Sequence, residues 1–313
     1  MAGIAFVFSG QGAQKPGMGQ ELYQQSPAAR DVLDSLEKVR PGLLTLCFEG
    51  PQEELNRTLN AQPALLAVEL AFLAAAREKG IQPDACAGFS LGEWAAAVAA
   101  GVMTAEQAFR LVLQRARWME DCCQQNPGGM SAVLRLDARQ VEEACQAHPH
   151  VWAANYNSPG QTVVSGLADA LPAFEQALVP LGGRAMRLKV SGAFHSPAMA
   201  PAALQLHEAL AAETLNEHTM PLYSNVTGLP YPSGQAAQLL ARQVESPVRW
   251  VDTLQHLWAH GIDRFIEIGP GGVLCGLIAK TLPDARCARV EDAATLAEAV
   301  TLATTTQPAE GES

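Results

Sequence analysis

Cys86-Ala87-Gly88-Phe89-Ser90-Leu91-Gly92 carries the pattern G-x-S-x-G at the end of an apolar run. An Ala-rich helix is predicted directly after it, over Leu91 to Ala100, with Gly101 as its C-terminal stop. Strand, sharp turn and helix make the setting of a nucleophile elbow, where glycines keep the turn clear and the serine is lifted to the top of the sheet. The helix N-terminus and the Leu91 amide then face the place where an oxyanion would develop. G-x-S-x-G also arises by chance in a glycine-rich chain, and it is the flanking strand and helix that favour function here. The pattern by itself fits a hydrolase as well as an acyltransferase.

Working outward, strand-like runs alternate with long amphipathic helices, which predicts an α/β fold with a largely parallel sheet. Ile4 to Phe8 reads as a strand, and Ser26-Pro27 as an N-cap with proline at the first helical position. Thr104-Ala105-Glu106-Gln107 is a capping box opening a helix to about Cys122. Phe265 to Ile268 is a short strand ended by Gly269-Pro270-Gly271-Gly272. The middle differs. Met130–Leu136, Val151–Asn155, Thr162–Ser165 and Ala185–Val190 read as strands, with Ala138–Ala147 and Ala170–Leu178 as helices. This β-α-β-β-α-β order is the ferredoxin-like pattern. Residues 127–190 are therefore expected to form a small inserted domain, and 1–126 with 191–303 one discontinuous large domain. The polar segment 304–313 is expected to be a disordered tail.

The 313 residues are 48% hydrophobic, enough for a substantial core, and the formal net charge of −11 argues against nucleic acid as a main partner. A local basic patch remains compatible with that charge. The apolar start, Ile4-Ala5-Phe6-Val7-Phe8, has no basic flank and reads as a buried strand rather than a signal peptide. Ala64 to Ala76, interrupted by Glu69, is too short to span a bilayer. A cytoplasmic protein without membrane contact is expected. Among seven cysteines, Cys122 and Cys123 are adjacent and the total is odd, so reduced thiols are expected. Cys145, His148 and His150 lack a fourth ligand nearby and read as a solvated helix end rather than a metal site.

A serine nucleophile needs a neutral imidazole within reach. His207, His218, His256 and His260 read as surface or helix-end residues. His195 lies between a strand and a helix in Gly192-Ala193-Phe194-His195-Ser196-Pro197, with Ser196 and Pro197 as N-cap and first turn. The positive potential of that helix end disfavours the imidazolium. On the residues alone, His195 is equally a loop histidine without a task. The helix from Thr104 puts Ala108, Leu111, Val112, Met119 and Cys122 on one apolar stripe, and Arg115 falls on it. Arg110 and Arg117 lie elsewhere, with Glu106 and Asp121 as partners four residues away. An inward guanidinium at 115 could hold a carboxylate in two parallel hydrogen bonds. It could equally snorkel past the core or pair with an internal Asp or Glu.

Taken together, the motifs resemble the malonyl-CoA:acyl carrier protein transacylases of fatty acid synthesis and the related acyltransferase domains of polyketide synthases. The matching residues are Phe8 to Gln14, Gln62 to Leu65, Gly88 to Glu93, Arg115 with Met119, Asn155 to Gln161, Gly192 to Ser196 and Glu267 to Gly271, in family order along nearly the whole chain. The resemblance implies a hydrolase-like large domain, a ferredoxin-like small one and a Ser90–His195 dyad. It further implies an oxyanion hole from the Gln11 and Leu91 amides, and Arg115 binding the free malonyl carboxylate. Gln62, Phe194 and Asn157 would contact the substrate. A backbone carbonyl in Glu245-Ser246-Pro247-Val248, at Ser246 where the family has asparagine, would orient His195. Phe89 replaces a common histidine, and Trp94 a hydroxyl-bearing aromatic. The Ala-Phe-His triplet ending at His195 resembles the malonyl-selective form.

No bound cofactor is implied. Malonyl-CoA is the substrate and a phosphopantetheinylated acyl carrier protein the partner, with Arg184, Arg187 and Lys189 as candidates for docking that acidic protein. Close alternatives are the malonyl-loading acyltransferase of a malonate decarboxylase or of a polyketide pathway. More distant ones are a serine esterase or thioesterase, and a docking subunit without catalysis.

Overall fold

A computed structural model of the chain describes residues 3–305. Among these, the strands are β1 (Gly3–Phe8), β2 (Ala85–Gly88), β3 (Gly128–Leu134), β4 (Val151–Ser158), β5 (Gln161–Leu167), β6 (Arg184–Arg187), β7 (Ile262–Ile268) and β8 (Arg286–Val290). They form a parallel sheet in the order β2-β1-β7-β8 and an antiparallel sheet in the order β4-β5-β3-β6.

β1 shows why the parallel sheet is internal. Its alternate residues Ile4, Phe6 and Phe8 enter one apolar core, while Ala5 and Val7 enter another on the opposite face with Phe265, Leu254 and Trp250. A strand buried on both faces reads as an unbroken apolar run, which is how this one looked in sequence. The antiparallel sheet has its own small core of Val133, Val141, Val164, Leu171, Phe174 and Leu178.

The helix Thr58–Glu78 packs within the large core. By length and composition it is apolar enough to cross a membrane (mean hydropathy 1.5), so the shorter segment expected from sequence underestimated it, but 83% of that stretch is buried inside the fold.

Several boundaries differ from expectation. The helix predicted to end near Cys122 continues as Ala105–Gln125, stopping just before Pro127, which disfavours helical geometry at Asn126. β6 ends at Arg187 instead of reaching Val190, because its pairing with β3 runs out at Ser131, although the Leu188 amide still donates to the Met130 carbonyl at 2.9 Å. Thr304 closes the helix Ala293–Thr304 rather than opening a tail, and 306–313 lie outside the described residues.

The expectation of reduced thiols fails at one pair. Cys275, in the helix Val273–Thr281, and Cys287, in β8, are joined by a disulfide with Cα atoms 5.7 Å apart, while the other five cysteines are free. Arg110 pairs with Glu106 at 2.7 Å as its spacing suggested. Arg117 forms no ion pair with Asp121 among the described residues.

Candidate active site

Ser90 occupies the turn between β2 and the helix Gly92–Ala99, with φ of 52°. A non-glycine residue in the left-handed region is strained and persists only where its surroundings over-determine it. Two features do so. A Cβ on Gly88 would lie 2.0 Å from the Gly92 carbonyl carbon, and one on Gly92 would lie 2.3 Å from the Phe8 oxygen, so the turn is packed backbone on backbone. The Asn225 side chain then clamps it: its Oδ1 accepts from the Ser90 amide at 2.7 Å and its Nδ2 donates to the Gly88 carbonyl at 2.6 Å.

His195 is also left-handed, with φ of 58°, and its amide donates to the Val244 carbonyl at 2.9 Å. Its Nε2 lies 2.8 Å from Ser90 Oγ. Its Nδ1 faces two carbonyls, Gln243 O at 2.9 Å and Ser246 O at 3.1 Å. Carbonyls only accept, so Nδ1 carries the proton and Nε2 offers its lone pair to the serine hydroxyl. Ser246 thus orients the ring through its main chain, which a serine supplies as well as an asparagine, and Gln243 joins it. Ser196 caps a short 3-10 turn, Pro197–Met199, that leads into the helix Ala200–Ala211.

Burial first, and the Arg115 charge second, push the His195 pKa from 6.5 to about 4, against the upward pull of the two carbonyl bonds. The helix end was expected to disfavour the imidazolium, but desolvation is the larger cause. If the neutral imidazole is the base, kcat/KM stays level down to well below pH 6.5 and falls only as pH drops through the lowered pKa. A pH profile on Arg115→Gln, which removes the second cause, shows this acid limb moving upward. Stability responds in the same window: between 6.5 and about 4 the unfolded chain takes up a proton that native His195 refuses, so folding weakens as pH falls.

Arg115 is 1% exposed and no carboxylate lies within ion-pair distance of it among the described residues. Its Nη1 donates to Gln62 Oε1 at 2.5 Å and its Nη2 to Gln243 Oε1 at 3.1 Å, while Nε has no acceptor among the described residues. Burial draws its pKa down to about 9, against the Glu93 charge. A buried guanidinium held only by neutral amides and open to a cavity is a receptor for an anion.

That cavity, about 300 Å³, opens where the carboxyl ends of β1 and β2 face the antiparallel sheet, the usual place for a ligand in an open parallel sheet. Ser90, His195, Arg115, Gln11, Phe194 and Asn157 all line it. Met119, Met130, Val163, Leu188 and Leu277 supply its apolar wall. Neither the Gln11 nor the Leu91 amide has an acceptor among the described residues. Arg115 Nε, Asn155 Oδ1, Asn157 Oδ1 and Ser9 Oγ are likewise unpartnered on the same wall. Gln62 differs from expectation: it is fully buried, is absent from the wall, and acts by holding Arg115. Phe89 lies on the wall, edge-on to Trp250 with ring centres 5.5 Å apart, whereas Trp94 is fully buried and does not line the cavity.

Sequence reasoning missed four residues. Gln243 donates through Nε2 to the Ser90 carbonyl at 2.7 Å and to Glu93 Oε2 at 2.5 Å, besides its bonds to Arg115 and His195. Glu93 is fully buried and also accepts from the Tyr231 hydroxyl and the Asn225 amide. A carboxylate in the first turn of an Ala-rich, otherwise apolar helix was the available signal for Glu93. Gln243, Asn225 and Tyr231 had none.

Arg184, Arg187 and Lys189 are exposed, and Arg187 pairs with Glu175 at 2.9 Å. His207 is exposed, while His256 and His260 stack at 4.0 Å at the end of the helix Trp250–Ala259.

An elbow serine beside a neutral imidazole, facing unpaired amides, is the layout of a serine acyl-transfer centre. The chain matches the acyl transferase domain model over residues 5–309. It is 40% identical over 307 residues to the malonyl CoA-acyl carrier protein transacylase of Bacillus subtilis (strain 168), covering 96% of this chain and 97% of the relative. The crystal structure of the Streptococcus pneumoniae transacylase aligns with a TM-score of 0.91 at 40% identity, covering 95% and 99% of the two chains. A malonyl-transacylase solved with its type II polyketide acyl-carrier protein aligns at 0.92 and 36% identity, covering 96% and 99%. The chain belongs to the malonyl CoA-acyl carrier protein transacylases of the acyl transferase family.

Proposed function

We propose that this chain moves a malonyl group from malonyl-CoA to the phosphopantetheine thiol of an acyl carrier protein. The observation that carries this reading is Arg115, a buried cation on the wall of the cavity that holds Ser90 and His195, with no carboxylate in ion-pair distance among the described residues. His195 Nε2 takes the Ser90 proton as Oγ attacks the thioester carbonyl, with the Gln11 and Leu91 amides on the oxyanion. The C–S bond breaks, the proton passes from His195 to the CoA sulfur, and a malonyl ester remains on Ser90. The carrier thiol then gives its proton to His195, attacks that ester, and Ser90 recovers the proton. Arg115 holds the free carboxylate throughout, and Phe194 and Asn157 flank the acyl chain.

The names of the relatives support substrate and partner, and no bound cofactor enters this scheme. The same reading divides the chain into a hydrolase-like large domain (1–126 and 191–303) and a ferredoxin-like small domain (127–190), supported by the antiparallel order β4-β5-β3-β6. It places the protein in the cytoplasm, away from membranes and nucleic acid. Intact-protein mass after mixing with malonyl-CoA tests the first half-reaction: a stable malonyl adduct is expected, lost on adding the carrier. Steady release of malonate with no transfer points to a hydrolase instead.

For carrier docking, Arg187→Glu is expected to raise the Michaelis constant for the carrier several-fold while leaving that for malonyl-CoA unchanged. An unchanged carrier constant removes Arg187 from the docking surface.

A further inference from the structure

Glu93 has no role in the reaction just described, yet it reaches Ser90, His195 and Arg115 at one remove. Its carboxylate receives Gln243 Nε2, the Tyr231 hydroxyl and the Asn225 amide. Gln243 passes from it to Arg115, and Asn225 to the Ser90 turn. The Gln243 amide therefore stands between a buried anion and a buried cation, with its oxygen toward Arg115 and its nitrogen toward Glu93. An amide so placed can relay charge in only this orientation, since flipping it would set donor against donor and acceptor against acceptor.

The two ends of the Gln243 amide thus meet one buried cation, Arg115, and one buried anion, Glu93, with no direct ion pair between them among the described residues. A substrate carboxylate docking on Arg115 would add a second anion to the same water-poor region. Two like charges flanking one cation in low dielectric cannot both stay ionised cheaply. We propose that Glu93 is the resident counter-charge of Arg115, and that it takes up a proton from solvent as the malonyl carboxylate docks, handing the guanidinium from an internal anion to the substrate. The proposal rests on the malonyl reading above.

The surroundings leave Glu93 as the group that answers. The charged or titratable groups acting on it are Tyr231 and Arg115, and its remaining partners, Gln243 and Asn225, are neutral. Burial already lifts its carboxyl to about 7, against the pull of Tyr231, Gln243, Asn225 and Arg115. Glu69, on the neighbouring helix Thr58–Glu78, is already pushed well above the usual carboxylate range by its own burial and then by Glu267, and Arg77 of that helix donates to the Ala99 carbonyl. His195, held near 4, is too weak a base to compete. The tyrosine at 231 is pushed up by burial and by Glu93 and stays neutral.

The test is calorimetric, on Ser90→Ala protein, which binds acyl-CoA without turnover. Binding enthalpy is measured in three buffers of different ionisation enthalpy at about pH 7.5, for malonyl-CoA and acetyl-CoA. The malonyl-minus-acetyl slope is expected to show uptake on the order of half a proton or more per site. In Ser90→Ala with Glu93→Gln that excess is expected to vanish while malonyl-CoA still binds. Equal slopes for the two ligands, or uptake that survives Glu93→Gln, overturn the proposal; the first arm decides even if the double variant does not fold. Malonyl-CoA that binds no better than acetyl-CoA overturns the functional reading beneath it, and the proposal with it.

Discussion

Ser90→Ala protein mixed with malonyl-CoA gains no acyl mass, and carrier malonylation falls by about 10⁴-fold or more, the size of loss seen when a nucleophile acting as part of a unit is removed. The fold should survive the change. The turn is held by the Asn225 clamp on the Ser90 amide and by glycine packing, and neither uses the hydroxyl. A circular dichroism spectrum and melting point close to the parent would separate lost chemistry from lost structure. An adduct still forming on the variant would show that another side chain carries the acyl group.

Arg115→Ala is expected to cut malonyl transfer by about 10²- to 10³-fold in kcat/KM, from the loss of two charge-assisted bonds worth about 1.5–3 kcal/mol each, partly offset by relief of the cation's own burial. Acetyl transfer, which has no carboxylate to place, should change far less, so the malonyl-to-acetyl ratio is the readout. The variant also leaves Gln62 Oε1 and Gln243 Oε1 without their donor, so some general loss in both activities accompanies the selective one. An equal fall for both acyl groups would falsify the selectivity role.

What could be read in advance followed from range along the chain. Ser90 announced itself because strand, turn and helix are adjacent in sequence. Arg115 did so because an apolar stripe exposes any intruder at helical spacing. His195 needed the family resemblance, since nothing local marks a left-handed loop histidine. The network behind them was invisible for the opposite reason: Gln243 meets Glu93 across 150 residues and Asn225 meets Ser90 across 135. The disulfide went unread likewise, because residues 275 and 287 come together only when a helix packs on β8. Counting cysteines says nothing about that approach. The strands of the antiparallel sheet were legible in order and type, and their ends were not, because pairing rather than propensity decides where a ladder stops.

The interruption of the parallel sheet by a whole second sheet has a consequence for how the protein is made. On the ribosome the hydroxyl emerges early, more than a hundred residues before its imidazole, and the carbonyls that fix the imidazole's proton come later still. β1 gains its second neighbour only with residues 262–268. A nascent chain that stops short of residue 195 therefore has no imidazole to take the Ser90 proton, and one that stops short of 243 has no carbonyl to fix that imidazole's tautomer.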